Sequence, residues 1–417
     1  MSTQASETVE ITGHLMDSGI LSMVLNDIRD YGGDHVIEKF DLGHDAGDTS
    51  YARVKVTADD EESLQRMLMR LQTRGVNLVD QGEVTVAEAD RDGVFPDGFY
   101  STTNLETRVR YEGRWLEVSN PEMDCGLILD VAGDSPRVYT LPMSDVKVGM
   151  QVVCGVLGVR VTTPLPAGGA EAEVFGFMES DVSSEKPQTL LVRQVADGIR
   201  EAKEAGKRVL WVGGPGVVHT GAQPAMVAIV NAGYVDVLFA GNALATHDIE
   251  STLYGTSLGV DLAQGRGVEH GHEHHIRALN TIRKAGSIAA AVDQGVLTGG
   301  IMHALVTGGK DFVLVGSVRD DGPLPDVYTD VIEGQRAMRA QLENVGFCLM
   351  VATMLHSVAT GNILPASIPL VCVDINPATV VKLADRGSSH ARGIVTDVGL
   401  FLEQLAQELV PDYTRPR

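Results

Sequence analysis

The sequence predicts an α/β protein whose C-terminal part is built on a parallel sheet, and three patterns lead there. Beyond Lys186, short runs that are almost wholly apolar alternate with stretches of helical periodicity, as strands buried on both faces of a parallel sheet require. Residues 1–92 alternate shorter units in the order β-α-β-β-α-β, the split ferredoxin-like α+β arrangement. Between these parts, residues 93–180 carry extended runs separated by turn residues, which reads as a small β-rich segment.

In chain order, VEITGHL is strand-like and Ser18–Tyr31 helical, with Ile20, Met23, Val24 and Ile28 on one face. DHVIEKFDLG and SYARVKVTA follow as two strands. Glu61–Arg74 is a helix with Leu64, Met67, Leu68 and Leu71 on one face, and NLVDQGEVTV closes the domain as a strand. The β-rich segment contains TRVRYEGRWLEV, CGLILDVAGDSPRVYTLP and GMQVVCGVLGVRVTTPLP, and the Gly/Ala/Pro-rich Pro164–Glu173 marks its end. Residues 181–417 then read as a helix (Gln188–Lys207), the strand RVLWVGG, a helix from Gln223, the strand VDVLFAG, helices through Ser287–Gly295, the strand DFVLVGS, helices across Tyr328–Thr360, and the strand PLVCVDI.

Composition narrows the function. The chain has 417 residues, 44% hydrophobic and 21% charged, enough for more than one core. The most apolar segments, Ser287–Leu297 and Phe347–Val358, are short and broken by Asp293 or His356, so no membrane span is expected. The N-terminus lacks the basic and apolar regions of a signal peptide, and the expected location is cytoplasmic. A net charge of −23, with 33 Lys+Arg against 56 Asp+Glu, repels a phosphate backbone and argues against nucleic acid as a partner. Cys125, Cys154, Cys348 and Cys372 lie far apart with no C-x-x-C pair, which disfavours a disulfide framework or a zinc knuckle.

In a parallel α/β sheet, ligands bind beyond the carboxyl ends of the strands, so the residues after each strand are the candidates. After RVLWV comes Gly213-Gly214-Pro215-Gly216-Val217-Val218-His219, small residues that let a backbone approach a pyrophosphate, although the pattern is not G-x-G-x-x-G. After VDVLFA comes Gly241-Asn242-Ala243, leading to Thr246-His247-Asp248 and Glu250. The plainer alternative has Asn242 or Thr246 capping a helix with the acids on its solvated face. After DFVLVGS, Arg319, Asp320 and Asp321 offer a carboxylate-gripping guanidinium beside two acids. Asp374 closes PLVCV, where an acid binds ribose hydroxyls. It lies far downstream of the Gly213 turn, so either the sheet is permuted or Asp374 is only a cap.

Two further motifs carry less. Glu269-His270-Gly271-His272-Glu273-His274-His275 offers helical pairs of histidines but no third ligand, and no metal is expected. Gly255-Thr256-Ser257-Leu258-Gly259 matches G-x-S-x-G without the buried strand a nucleophile elbow needs, and reads as chance.

Taken together, GGPGVVHTG, FAGNALATHDIESTLYGTSLGVD, GHEHHIRALN, GSVRDDGPLPDV, TMLHSVATGN, CVDINP and DRGS…GIVTDVG resemble the archaeal-type ornithine cyclodeaminase family. That family, also known for its LOR/SDH (lysine-oxoglutarate reductase/saccharopine dehydrogenase) region, includes the C-terminal part of cyanobacterial bifunctional arginine dihydrolase/ornithine cyclodeaminases. HLMDSGILS, TTNLETRVRY, MDCGLILD and FMESDVSSEKP extend the resemblance over nearly the whole chain. The guanidine-removing domain of the bifunctional members is not expected, since Met1 stands almost directly before the first strand. The sequence has His390 where the family usually carries Gln.

The resemblance implies a tightly held NAD in a Rossmann-like domain closer to deoxyhypusine synthase than to the usual dinucleotide fold. It assigns cofactor contacts to Asn242, Ala243, Asp321, Thr353, Met354, Leu355, His356, Asp374, Asp397 and Val398. It also implies conversion of L-ornithine to L-proline and ammonia, and a homo-oligomer is the default expectation for a cytosolic enzyme of this size. That reaction asks for a cation on the α-carboxylate, an acid on the δ-ammonium and a proton-moving base. The expected groups are Arg319 for the first, Asp320 or Asp248 for the second, and His219 or His247 for the third. A dehydrogenase that releases NADH, acting on saccharopine or another amino acid, and a non-catalytic NAD or amino-acid sensor remain the alternatives.

Overall fold

The computed structural model describes residues 4–13, 15, 19–43, 48–133, 135–162, 188–258, 260–261, 273–320, 322–385 and 391–415. The chain divides into two compact units, Met1–Glu179 with Asn362–Ser367, and Ser180–Gly361 with Ile368–Arg417.

The first unit opens with β1 (Ala5–Gly13), α1 (Ile20–Asp30), β2 (Asp34–Asp41), β3 (Ser50–Ala58), α2 (Glu61–Gln72) and β4 (Asn77–Leu78). The four strands form an antiparallel sheet in the order β2-β3-β1-β4. Asp60 starts α2 by accepting the Ser63 N–H at 2.7 Å, with Glu61 and Glu62 in the first turn where the helix dipole favours them. The helix then buries Leu64, Met67, Leu68 and Leu71 against Val9, Ile11, Val54 and Val56. On α1, Met23 turns outward and Asp27 takes an inward position, held by Arg70 at 3.2 Å and Arg74 at 3.3 Å.

The strand expected over NLVDQGEVTV is two strands. Asp80-Gln81-Gly82 break it, and β5 (Thr85–Glu88) leaves for a second sheet by pairing with β10. That mixed sheet also contains β6 (Glu106–Tyr111), β7 (Arg114–Ser119), β8 (Gly126–Asp130), β9 (Arg137–Leu141), β10 (Gln151–Cys154) and β11 (Val159–Thr162), in the order β11-β6-β7-β9-β8-β10-β5. Buried Asn77 joins the two sheets: its carboxamide donates to the Val161 carbonyl and accepts the Val161 N–H, both at 2.8 Å. The Pro164–Glu173 boundary lies outside the described residues.

The second unit runs α3 (Gln188–Glu204), β12 (Arg208–Gly213), α4 (Gly216–His219), α5 (Gln223–Asn231), β13 (Val237–Gly241), α6 (Asn242–Tyr254), the short hairpin β14 (Thr256–Ser257) and β15 (Val260–Asp261), then α7 (His274–Ala285), α8 (Ile288–Asp293) and α9 (Gly300–Thr307). It continues with β16 (Asp311–Val315), β17 (Val327–Tyr328), α10 (Val331–Ala340), β18 (Val345–Val351), α11 (Leu355–Ile363), β19 (Leu370–Asp374), α12 (Pro377–Asp385), β20 (Ala391–Val395) and α13 (Val398–Leu409). Seven strands make one parallel sheet in the order β17-β16-β13-β12-β18-β19-β20. The sheet is therefore not permuted: the chain winds outward from β12 through β13, β16 and β17, returns to β18, and winds outward the other way.

Helices were expected throughout Tyr328–Thr360, but VGFCLMV forms β18 in their midst. A short apolar run does not distinguish a buried strand from a buried helix by period, and this one pairs with β12 and β19 on either side. No helix among the described residues is long and apolar enough to cross a membrane.

Candidate functional site

Strand register sets the site. Gly241 pairs with Val315, Gly213 with Ala240 and Val351, Val351 with Val373, and Asp374 with Val395. Six strands thus end on one edge, and the loops after them carry nearly every residue singled out from the sequence. The winding direction reverses between β12 and β18, and at such a switch point the diverging loops leave a crevice for a ligand.

The backbones flanking that crevice are very close. The Gly214 N–H donates to the Val351 carbonyl at 2.9 Å, and a Cβ on Gly214 would lie 1.8 Å from the Ala352 carbonyl oxygen. Ala352 itself sits at φ 55°, a left-handed conformation that turns the chain sharply off β18 into Thr353, Met354 and the start of α11. The first intrahelical bond of α11 runs from the Val358 N–H to the Met354 carbonyl, so the N–H groups of Leu355, His356 and Ser357 open toward the edge, an anion-binding arrangement. Asp374, at the end of the next strand, follows Thr353 by about twenty positions, the interval at which an acid meets the ribose of a dinucleotide. Its Oδ1 accepts the Asn376 N–H at 2.8 Å, so it also shapes the turn into α12.

Other edge residues frame the crevice. The His356 ring lies against Gly241, where a Cβ would stand 3.1 Å from its Cε1, and hydrogen-bonds the Val315 carbonyl. Burial holds its pKa below the usual histidine value, so the imidazole is neutral. Asn242 is buried at the start of α6, and its side-chain oxygen accepts the Leu324 N–H at 3.0 Å; Ala243 is half-buried beside it. Asp397 caps α13 through the Leu400 N–H at 2.8 Å, and Val398 is the buried first residue of that helix. Asp321 lies outside the described residues.

Beside this rim lies a group of histidines, His247 buried and His219 and His274 half-buried. His219 ends α4, and its Nδ1 is 2.6 Å from the Ser257 Oγ. Burial is the main reason its pKa falls to about 4, helped by His247 and opposed by Glu250. The His247 ring crosses that of His219 edge-on at 4.8 Å between centroids, and its Nδ1 is 2.8 Å from the Glu250 carboxylate. Glu250, fully buried, also accepts the Thr256 hydroxyl at 2.9 Å, and Thr256 reaches the His274 Nδ1 at 2.8 Å. Thr220, next to His219, packs on the start of α13, where a Cβ on Gly399 would meet the Thr220 Cβ at 3.0 Å; the histidine group and the rim are thereby contiguous.

The plainer alternative for α6 does not hold, and one candidate acid carries a structural role. The acids of α6 are not on a solvated face: Asp248 and Glu250 are both fully buried, because this helix is covered on all sides. Asp248, a candidate for the substrate's δ-nitrogen, caps α9 instead. Its carboxylate accepts the Ile301 and Met302 N–H groups at 2.7 and 2.8 Å and the Gln223 side chain at 2.7 Å, and burial raises its pKa to about 6 against those bonds. Arg319 is exposed at the tip of the turn after β16, its guanidinium making no ion pair among the described residues. Asp320 folds back to accept the Ser317 N–H at 2.8 Å, below Gly316.

Sequence inspection did not single out Glu250, Thr256, Ser257 or His274 as a unit. The available signals were the three-residue step from His247 to Glu250 on one helix face, and the Thr256-Ser257 pair inside a string set aside as chance. His270 and His272 lie outside the described residues.

Three family profiles match the chain: the LOR/SDH bifunctional enzyme conserved region over residues 6–105, the first region of the arginine dihydrolase ArgZ-like C-terminal part over 106–192, and its Rossmann-fold region over 193–405. The ornithine cyclodeaminase of Methanothermobacter thermautotrophicus is 49% identical over 96% of this chain and 97% of its own length. The apo crystal structure of ArgZ, an arginine dihydrolase from cyanobacteria, superposes with a TM-score of 0.85 at 33% identity, over 98% of this chain and 59% of that one. AgrE, solved in ternary complex with ornithine and NAD+, matches with a TM-score of 0.53 at 40% identity, over 98% of this chain and 59% of its own.

Proposed function

The chain belongs to the ornithine cyclodeaminase family, and we propose that its carboxyl-edge site converts L-ornithine to L-proline and ammonia with a tightly held NAD. The observation that carries the cofactor is the β18–α11–β19 unit at the switch point: a backbone contact that admits no side chain at Gly214, an open helix start, and an acid on the next strand. The residues fit a dinucleotide. Thr353, Met354, Leu355 and His356 would hold its diphosphate and Asp374 its ribose, with Asn242, Ala243, Asp397 and Val398 as the further contacts the family resemblance assigns; Asp321, assigned with them, lies outside the described residues. When bound, it supplies a reversible two-electron acceptor for the Cα–H bond, so oxidation at Cα is undone at the end and no net redox change remains.

The chain supplies the rest. Arg319 grips the substrate carboxylate bidentately, and its guanidinium, exposed on the rim and without an ion pair among the described residues, supports that role. Asp320 faces the δ-ammonium in preference to Asp248, which is fully buried and holds the start of α9 through three hydrogen bonds. Proton movement falls to His247, backed by Glu250, with neutral His219 against its ring. The order β2-β3-β1-β4 supports a ferredoxin-like reading of the first sheet, β5 ties residues 1–92 to the β-rich sheet that follows, and a deoxyhypusine-synthase-like NAD domain over residues 181–417 is part of the proposal.

Nucleotide released from the purified chain by heat tests the cofactor. NAD approaching one per chain is the expected result; a chain that holds none and does not bind added NAD contradicts it.

A further inference from the structure

The buried carboxylate of Glu250 sits between two histidines. His247, three residues earlier on α6, approaches its Oε2 through Nδ1 at 2.8 Å, and the Leu258 N–H approaches the same oxygen at 3.3 Å. Thr256 donates its hydroxyl to Oε1 at 2.9 Å, and on the other side that hydroxyl lies 2.8 Å from the His274 Nδ1. The directions of these bonds follow from proton counting. A carboxylate only accepts, so the His247 Nδ1 must carry a hydrogen. A threonine hydroxyl has one proton, here spent on Glu250, so Thr256 can only accept from His274, whose Nδ1 must also carry a hydrogen. Tyr254 stacks on the His274 ring at 4.9 Å and His275 lies 6.4 Å from the His247 ring, which limits how far either imidazole can turn.

We infer that Glu250 is a positioning residue for proton transfer in this site, fixing His247 directly and His274 through Thr256 in the tautomer that leaves each Nε2 bare. One buried carboxylate thereby orients two bases, a role that no motif in the sequence marks. The inference rests on the reaction proposed above, whose amine exchange needs such a base. When the δ-nitrogen bonds to Cα, it sheds a proton; when the α-nitrogen leaves Cα as ammonia, it takes one. A bare Nε2 that accepts the first proton and returns it to the second nitrogen closes the balance, with one C–N bond formed and one broken. Glu250 steadies the intervening imidazolium without itself taking the proton, as a carboxylate behind a catalytic histidine does. It is separate from Asp248, whose carboxylate is occupied by the start of α9.

Glu250→Gln tests this, because an amide offers one acceptor and one donor where the carboxylate offers two acceptors. Long-range proton–nitrogen spectra of the purified protein, labelled at the histidine rings, read the tautomers without any activity. The wild type is expected to show His247 and His274 protonated at Nδ1, and the variant to reverse or mix at least one of them. With the cofactor bound, kcat for ornithine is expected to fall about 100-fold. KM and NAD affinity should stay within about threefold, and Glu250→Asp should restore part of kcat, a split that a merely structural role would not produce. Unchanged tautomers in Glu250→Gln, or an undiminished kcat, overturn the inference. If Glu250→Gln does not fold, Thr256→Val decides: it cuts only the second link, so His274 should lose its bias while His247 keeps its own, and an unaltered His274 overturns the inference. A wild-type chain that makes no proline overturns the reaction and the relay with it, whereas one that makes proline at the same rate as Glu250→Gln overturns the relay alone.

Discussion

Gly214 and Ala352 face each other across the two central strands so closely that a Cβ on Gly214 would fall 1.8 Å from the Ala352 carbonyl oxygen. The contact is backbone to backbone, so no rotamer change relieves it. It holds the turn after β18, and with it the start of α11, at the mouth of the switch-point crevice.

Gly214→Ala therefore has to push the ends of β12 and β18 apart. The expected cost is about 1–3 kcal/mol of stability, together with at least about a tenfold loss of NAD affinity, because the N–H groups of α11 move off the diphosphate. Calorimetric titration of NAD into the variant checks this; wild-type affinity and stability together would show that the contact does not set the crevice.

The fold was largely legible because most strands of the second unit announce themselves as apolar runs bounded by glycine or acid, and the order of elements from β1 to β4 follows from period, whereas β5 merges into the strand before it. What was not legible is instructive. VGFCLMV merges into the apolar stretch around it, and without β18 the only visible phosphate turn was the one at Gly213. Measured from there Asp374 is too distant; measured from Thr353, at the end of β18, it falls where a ribose-binding acid belongs. Asp248 and Glu250 look like solvent-facing acids because burial of a helix on every side depends on neighbours distant in sequence. The Glu250–Thr256–His274 chain depends on the bend at Gly255 (φ 69°) bringing β14 back along α6, which no local pattern encodes.

Asp248 makes a pH prediction whose sign follows from its raised value. Its folded pKa of about 6 lies above the 3.8 of an ordinary carboxyl, so the folded chain binds the proton more tightly than the unfolded one. The group's contribution to stability is fully present below pH 3.8 and is lost as pH rises through about 6. A shift of this size corresponds to roughly 3 kcal/mol between the two limits. Asp248→Asn cannot titrate, so its stability difference between pH 4 and pH 7 should lack this component. Denaturant unfolding of both chains at the two pH values measures it, and an identical difference would contradict burial of the carboxyl.

Arg319→Ala should raise the ornithine KM steeply, by about 10–100-fold, with kcat little changed and NAD affinity intact, because the guanidinium is lost from binding and not from the reacting nitrogens. Steady-state kinetics with NAD at saturation measure this. An unchanged KM removes Arg319 from the site and leaves the α-carboxylate to another cation.

The central claim is that the carboxyl edge of the parallel sheet turns ornithine into proline without net redox change, and one assay reaches it most directly. Purified chain is given L-ornithine, with and without added NAD, and proline, ammonia and the NADH absorbance band are followed together. Equimolar proline and ammonia with no accumulating NADH is the predicted result; NADH that builds up without proline would contradict it and make the protein a dehydrogenase.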